Sequence, residues 1–344
     1  MDEPLPRVRP MEVDHSFRSK PHHCGKRFQS PPSPHQDGRH SREMIQVLWE
    51  LMRRGNAPLS DVEGHLWSRE EALRGLEHHL SPSGETSDEA SIPLTWLGQS
   101  CFYFRLGGLG IVTDPFLGKR ASPLQFSGPK RLVISPLGLN DLQVDVIVMS
   151  HNHYDHFCSE TLSQVSNKTS VLVITTLGLK PLFESLGYCR VLELDWYHQV
   201  SVGEVSFYGL PAYHFSGRSL LDADATLWAS FGIDGPEGRL FFAGDTGYGP
   251  AFREIGELTG PYDIALVPIG AYAPRSVFAA VHASPEEAVA MGQDLGARRM
   301  VGMHWGTVRL TTEPFWEPRD KFLHHPGGPD REILAIGETR IICW

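Results

Sequence analysis

Cysteine is scarce and carries no pattern. The five residues Cys24, Cys101, Cys158, Cys189 and Cys343 are odd in number, widely spaced and never in a C-x-x-C pair. That excludes a disulfide framework or a cysteine zinc knuckle and makes a reducing, cytoplasmic setting the expectation. No apolar run approaches the length of a membrane span, so any membrane contact is expected to be peripheral. The start, MDEPLPRVRP, lacks the apolar core of a secretory signal, and none is expected. A basic excess is missing as well. The formal net charge of −10 argues against a binder of nucleic-acid backbone, which needs a basic face. Residues 1–54 hold 10 Lys/Arg against 7 Asp/Glu, which leaves 21 against 34 in residues 55–344. A mildly basic leader precedes an acidic body.

What is present divides the chain into three. Residues 1–41 are rich in Pro, Ser, Arg and His without an apolar period and are expected to be a disordered leader. Its histidines, His15, His22, His23, His35 and His40, follow no ligand spacing and read as solvated. Residues 42–91 form a helical extension and linker. Met44, Ile45, Val47, Leu48, Leu51 and Met52 recur at helical spacing, predicting a helix over 43–54 that docks on the body. Because Arg53 and Arg54 sit where an interfacial helix wants them, a lipid-facing surface is the second reading of that face. A second helix is predicted over 68–79, opened by Ser68 with Glu70 and Glu71, and SPSGETSDEAS (81–91) reads as a linker. The third part, 92–344, is expected to be the main folded domain. Strands are predicted at 94–97, 101–106, 110–113, 144–150, 170–175, 190–194, 205–210, 226–233, 239–243, 263–267, 299–303 and 338–343. Helices at 159–166, 178–186, 250–258 and 284–295 alternate with them, giving an α/β class with helices covering the sheets. Pattern alone leaves open whether there is one sheet or two.

The chemistry concentrates in VDVIVMSHNHYDHF, where an apolar strand ends and His151, His153, Asp155 and His156 follow within six residues. Alternation in extended chain puts His151 and His153 on one side, and the next turn can bring Asp155 and His156 to a neighbouring point. Imidazole and carboxylate are what zinc accepts when no thiolate is offered, though iron and manganese also accept them. Four such groups on one metal would leave no open position, so two adjacent metals fit better. Three more ligands end apolar strands: His214 after VSFYGLPAY, Asp245 after RLFFAG and His304 after RRMVGM. Taken singly, each would be an ordinary hydrogen-bonded or turn residue; the H-x-H-x-D-H cluster gives them a role. Asp245 has two oxygens and can bridge. The expected allocation is His151, His153, His214 and one Asp245 oxygen on the first metal. Asp155, His156, His304 and the other oxygen take the second.

HNHYDH with a distal His, Asp and His resembles the metallo-β-lactamase superfamily from about Thr95 to Thr307, which implies an αββα sandwich with two Zn2+ per chain. Within it, TWLGQS, TDPFLGKRASPLQFSGPKR, HFSGRSLLDADATLWASF, FFAGDTGYGPAFREIG, PIGAYAPR, HASPEEAV and HWGT are similar to the N-acyl-phosphatidylethanolamine-hydrolysing phospholipases D. The sequence departs from that family at Gln99, where histidine is usual, and at Asp224, where asparagine is usual. The resemblance implies a phosphodiesterase that releases N-acylethanolamine and phosphatidic acid, with a zinc-activated hydroxide as nucleophile. Asp245 and Asp155 are then catalytic as well as ligating. His282 in VHASPEE matches a family histidine beside the metals and is expected to contact the phosphoryl group or protonate the leaving alcohol; its alternative is a mere flank of the helix that Ser284 and Pro285 open. Arg218 and Arg275 are candidate phosphate contacts. Tyr154, Tyr213, Tyr248 and Tyr272, with Phe215, Trp228, Phe278 and Trp305, are candidate walls of an acyl channel. A lactonase or sugar-phosphate hydrolase on the same scaffold stays open. Diiron redox members put glutamate where His153 stands, and inactive relatives lose ligands that are all present here. The expected partners are a phospholipid substrate, a membrane surface and a second copy of the chain as a homodimer, with no nucleic acid.

Overall fold

The computed structural model describes residues 4–11, 21–35, 42–54, 56–60, 62–80, 90–124, 126–219 and 221–344. Alternation decides the architecture. In Cys101–Leu106, Val146–Val148 and Leu172–Thr176, one core cluster takes Phe102, Phe104, Val146, Val148, Leu172 and Ile174, while a second takes Cys101, Tyr103, Ile147 and Val173. A strand buried on both faces must lie between two layers. The first cluster joins this sheet to Phe207, Phe231, Ile233, Leu240 and Phe242 of another sheet; the second joins it to the helical residues Ala72, Leu162 and Phe183. The outer side of the other sheet is covered by the helices Ala251–Thr259, Pro285–Asp294 and Glu317–His324. The order is helix, sheet, sheet, helix.

One sheet has eight strands. From edge to edge they are Arg9–Pro10, His198–Val202, Val205–Leu210, Ser230–Gly235, Gly238–Phe242, Ile264–Pro268, Arg299–Met303 and Asp330–Glu332. The other has seven: Thr339–Cys343, Ser91–Gly98, Cys101–Leu106, Leu109–Thr113, Val146–Val148, Leu172–Thr176 and Arg190–Leu194. The strands that end in the ligand segments are parallel to their neighbours at Val146↔Ile111 and Ile264↔Arg299, so several chain exits open on one rim.

Most predicted strands are found where expected, and two are shorter for a stated reason. Residues 226–229 leave the predicted strand because Leu227 N–H donates to Leu177 O and Ala229 N–H to Ser150 O, tying this stretch to segments of the opposite sheet and its exit loop. Residues 149 and 150 leave the strand at Val148 because Ser150 N–H turns to the Asp114 carboxylate. Two polar strands have no counterpart in the sequence pattern: His198–Val202, one in from the edge, and Asp330–Glu332 at the opposite edge.

The leader differs from its expectation. Arg9–Pro10 pairs antiparallel with His198–Val202, Met11 is buried, and His23–Cys24 and Arg27–Phe28 form a hairpin. His22 is only 4% exposed, with Nε2 2.7 Å from Asp195 Oδ1. The partner lies far away in sequence, so local composition could not reveal it. His15, His40 and residues 81–89 of the linker lie outside the described residues. In the extension, Ser68 and Glu71 form a reciprocal cap on the helix Arg69–Gly75, and Arg69 pairs with Asp141 at 2.7 Å. The helix Arg42–Arg54 buries Val47 and bonds Glu43 to Ser276, yet Ile45, Leu48 and Trp49 are 70%, 53% and 57% exposed. One side docks and another stays bare. The side chains of Met52 and Arg54 lie outside the described residues.

Candidate metal centre

The turn after Val148 is built by its own backbone. His156 and Phe157 N–H both donate to His153 O, at 3.1 and 2.8 Å, which curls Asp155 and His156 back beside His151. His304 follows Met303 directly in a left-handed conformation (φ 60°) that histidine tolerates better than most residues, and its N–H donates to Gln99 O.

Seven side chains converge in two groups. In the first, His153 Nδ1 lies 2.9 Å from His151 Nε2 and 3.1 Å from His214 Nε2, and His214 Nε2 is 3.7 Å from Asp245 Oδ2. In the second, His304 Nε2 is 3.1 Å from both Asp155 Oδ2 and Asp245 Oδ2, and His156 Nε2 is 3.1 Å from Asp245 Oδ2. Within each group the donor atoms lie inside 4.8 Å of one another, and Asp245 belongs to both. One detail corrects the expected allocation: Oδ2 alone faces both groups, whereas Oδ1 is buried with no hydrogen-bond partner among the described residues. The donor set suits cations. The opposite ring nitrogens are fixed from behind, His151 Nδ1 by Ser150 Oγ (2.9 Å), His156 Nδ1 by Asp114 Oδ2 (2.6 Å) and His214 Nδ1 by Val281 O (3.0 Å). His156 Nε2 is left without a hydrogen bond.

Charge is sorted between the groups. Burial, reinforced by neighbouring imidazoles, holds His151 well below the ordinary histidine range, and burial brings His153 down to about 4. Burial likewise lowers His214 well below the ordinary range, against the pull of Asp245. For His156 burial is outweighed by Asp245 and Asp155, which raise it well above the usual range; His304, facing the same carboxylates, rises to about 9. Asp155 and Asp245 stay ionised despite burial because His156 and His304 face them. The carboxylates therefore gather positive charge at one spot.

His282 stands beside the centre, its ring 5.1 Å from that of His214 and 5.5 Å from that of His304, with Nδ1 buried and unpartnered. Burial lowers it to about 4, so it is a neutral imidazole at pH 7. The helix-flank expectation also holds, since Ser284 and Glu287 form a capping box. Both arginines engage protein partners. Arg218 Nη1 donates to Asn152 O (2.7 Å) and Phe157 O (3.0 Å), with its guanidinium 3.8 Å over the Tyr154 ring, so it braces the ligand turn from behind. Arg275 holds His282 O (2.6 Å) and Glu287. The tyrosines are tied elsewhere too: Tyr154 to Arg218 O, Tyr213 to Ala251 N–H, Tyr248 to Asp294 and Tyr272 to Glu317. Trp228 and Trp305 are core; Phe215, 4.6 Å from His153, stands against the ligands, and Phe278 lies 6.1 Å from His282.

Three supports were not foreseen. Asp114 gathers Ser150 and His156; Gln99 Nε2 donates to Asp155 Oδ2 at 2.8 Å; Ser30 Oγ of the leader donates to His214 O at 2.6 Å. Gln99 and Asp114 join His304 in adopting positive φ, 54° and 30°, a strain that clusters at functional sites. Gly244 (φ 59°) also matters, because a Cβ there would meet Ser150 Cβ at 2.7 Å. Gly244→Ala is expected to cost roughly 1–2 kcal/mol of strain and lower Tm by several degrees in a thermal melt. An unchanged Tm would mean that the turn relaxes freely.

Comparison with known proteins places the chain in a family. The β-lactamase superfamily domain model matches residues 110–305. The chain belongs to the metallo-β-lactamase superfamily. An uncharacterised protein of Mycobacterium tuberculosis is 36% identical over 300 residues, covering 86% of this chain and 76% of the relative. The N-acyl-phosphatidylethanolamine-hydrolysing phospholipase D 1 of Caenorhabditis elegans is 35% identical over 326 residues, 91% of this chain and 89% of the relative. Among solved structures, a metallo hydrolase of Ignicoccus hospitalis superposes with a TM-score of 0.55 at 21% identity, covering 73% of this chain and 98% of that one, which supports the fold. As a member of this superfamily the chain is a metal-dependent hydrolase.

Proposed function

We propose that this hydrolase is a dizinc phosphodiesterase of phospholipase D type, cleaving N-acyl-phosphatidylethanolamine to N-acylethanolamine and phosphatidic acid. The carrying observation is the single carboxylate, Asp245, common to both ligand groups, in a chain similar over 91% of its length to a relative whose name states that activity. His151, His153, His214 and Asp245 hold one zinc; Asp155, His156, His304 and Asp245 hold the other. Bound zinc supplies neutralisation of phosphodiester charge and acidifies water from a pKa of about 16 toward about 7. Asp245, whose carboxylate stands between the two groups, orients the attacking water and relays its proton. His282 is held neutral, so it contacts the phosphoryl oxygens through a ring N–H and does not deliver a full positive charge. Phe215 and Phe278 offer apolar surface beside the phosphoryl position.

A lipid surface is the matching partner. No helix among the described residues is long and apolar enough to cross a membrane. The bare stripe Ile45, Leu48 and Trp49, with Arg53 5.1 Å over the Trp49 ring, suits interfacial contact. Ile45→Asp with Trp49→Asp should weaken vesicle sedimentation roughly tenfold or more, since each side chain contributes about 1.5–3 kcal/mol when buried. Turnover of a short-chain monomeric substrate should be untouched. Equal vesicle binding would remove this helix from membrane contact.

The test of the reaction is incubation of zinc-loaded protein with N-acyl-phosphatidylethanolamines, simple phosphodiesters, sugar phosphates and lactones, with products identified by mass spectrometry. N-acylethanolamine with phosphatidic acid is the expected pair. Turnover of lactones or sugar phosphates alone would overturn the lipid assignment and leave the superfamily intact.

A further inference from the structure

Away from the metal centre, one further set of metal-competent donors stands together among the described residues: His22, His23 and Asp195, with donor atoms inside 4.8 Å of one another. We propose that it is a third metal site, taking one zinc-class divalent cation, and that this ion pins residues 21–35 to the catalytic body.

The donors converge as ligands do. His22 Nε2 lies 2.7 Å from Asp195 Oδ1, and His23 Nε2 lies 2.9 Å from Asp195 Oδ2. Consecutive residues in extended chain point to opposite faces, so two adjacent histidines reaching one carboxylate require a bend. The turn at Pro21–His22, with Gln29 N–H donating to His22 O, supplies it. The rings then meet edge-on, with centroids 4.5 Å apart and planes at 67°. Each donor is also held in place. His22 stacks on Trp196 at 4.2 Å and nearly parallel to Phe28 at 6.5 Å, and Asp195 Oδ1 accepts Trp196 N–H at 2.9 Å. Such outer contacts fix ring orientation in metal sites.

Charge points the same way. Asp195 is 1% exposed, and an ionised carboxylate in that interior calls for positive charge as well as hydrogen bonds. A divalent ion held by His22, His23 and Asp195 supplies charge and ligand bonds together. His23, 35% exposed on its side chain, leaves a route from solvent, and His22 lines a cavity of about 720 Å³ with Trp196, Tyr197 and Glu254. Three protein ligands with room for water describe an open, exchangeable site. It should bind less tightly than the seven-ligand centre.

The position gives the ion a purpose. The same segment continues to Ser30, whose hydroxyl donates to His214 O, and to His35, 2.9 Å from Glu287 Oε1. Anchoring the hairpin at Asp195 therefore holds Ser30 against a ligand of the catalytic centre.

The experiment counts metal and needs no substrate. Full-length protein is stripped with chelator, reloaded with graded zinc and weighed by native mass spectrometry, with bulk metal analysis in parallel. Wild type is expected to bind three ions, the third being the first lost on dialysis, and His22→Gln with His23→Gln to bind one fewer. His23→Gln alone, at a solvent-accessible position, should also lose the third ion and covers the case in which the double variant folds poorly. Trypsin cleavage at Lys26 and Arg27 should slow as the third equivalent of zinc is added to wild type and show no such response in His23→Gln. Equal ion counts in wild type and His23→Gln would overturn the proposal and make the cluster a metal-free latch of two imidazoles on Asp195. Because the readout is stoichiometry, failure of the lipid assignment leaves this result unaffected.

Discussion

Asp245→Asn should lower kcat/KM by roughly 10³-fold or more, about 4 kcal/mol of transition-state stabilisation, without unfolding the protein. The side chains are isosteric and the position is 4% exposed, so packing is preserved. What changes is charge and ligand capacity. Asp245 Oδ2 lies 3.1 Å from His156 Nε2 and from His304 Nε2, and 3.7 Å from His214 Nε2, so one oxygen serves both ligand groups. Asparagine offers one neutral carbonyl oxygen, and its amide cannot ligate a metal or accept the proton of an attacking water. Both orientations fail. With the oxygen toward the histidines, two cations share a neutral donor; with the amide there, N–H groups face the ligand nitrogens. Metal analysis, Tm and steady-state kinetics on one preparation check this together. A near-normal rate with full metal content would take Asp245 out of the mechanism.

The seven side chains that converge were legible because their signal is local. H-x-H-x-D-H after an apolar strand needs no tertiary knowledge, and His214, Asp245 and His304 each end a strand visible from its own residues. What escaped was fixed by distant contacts. Arg218 was cast for phosphate by its chemistry, but its guanidinium bonds Asn152 O and Phe157 O, carbonyls that become available only once the ligand turn has formed. Tyrosine hydroxyls are tied in the same way, to Ala251, Asp294 and Glu317 of neighbouring helices. The leader's histidines looked solvated because Asp195, 173 residues beyond His22, lies outside any window of local pattern. The two sheets, left open by pattern and implied by the resemblance, are borne out by strands such as Leu172–Thr176, buried throughout. Segments buried on both sides read as continuous apolar runs, in which period carries no information about layers.

Asp114→Asn is the second severe change, and it acts without touching a metal. Asp114 is fully buried; its Oδ1 accepts Ser150 N–H at 2.7 Å, and its Oδ2 accepts the Ser150 hydroxyl at 2.5 Å and meets His156 Nδ1 at 2.6 Å. When metal displaces the other proton of His156, this carboxylate keeps the remaining one on Nδ1 and leaves Nε2 for the metal. An asparagine that keeps its oxygen on Ser150 N–H turns an amide donor toward Nδ1. Imidazole then has to move its proton to Nε2, the nitrogen that must bind metal. The expected result is a loss of metal affinity of roughly 10–100-fold, concentrated in the group of Asp155, His156 and His304. Asp114→Ala should add instability of about 1–3 kcal/mol, because Ser150 N–H is left buried without an acceptor. Competition titration against a chromophoric chelator resolves the two sites, and a thermal melt of the metal-free protein reads the stability. Should Asp114→Asn hold both metals as tightly as wild type, the tautomer of His156 is set by something other than this carboxylate.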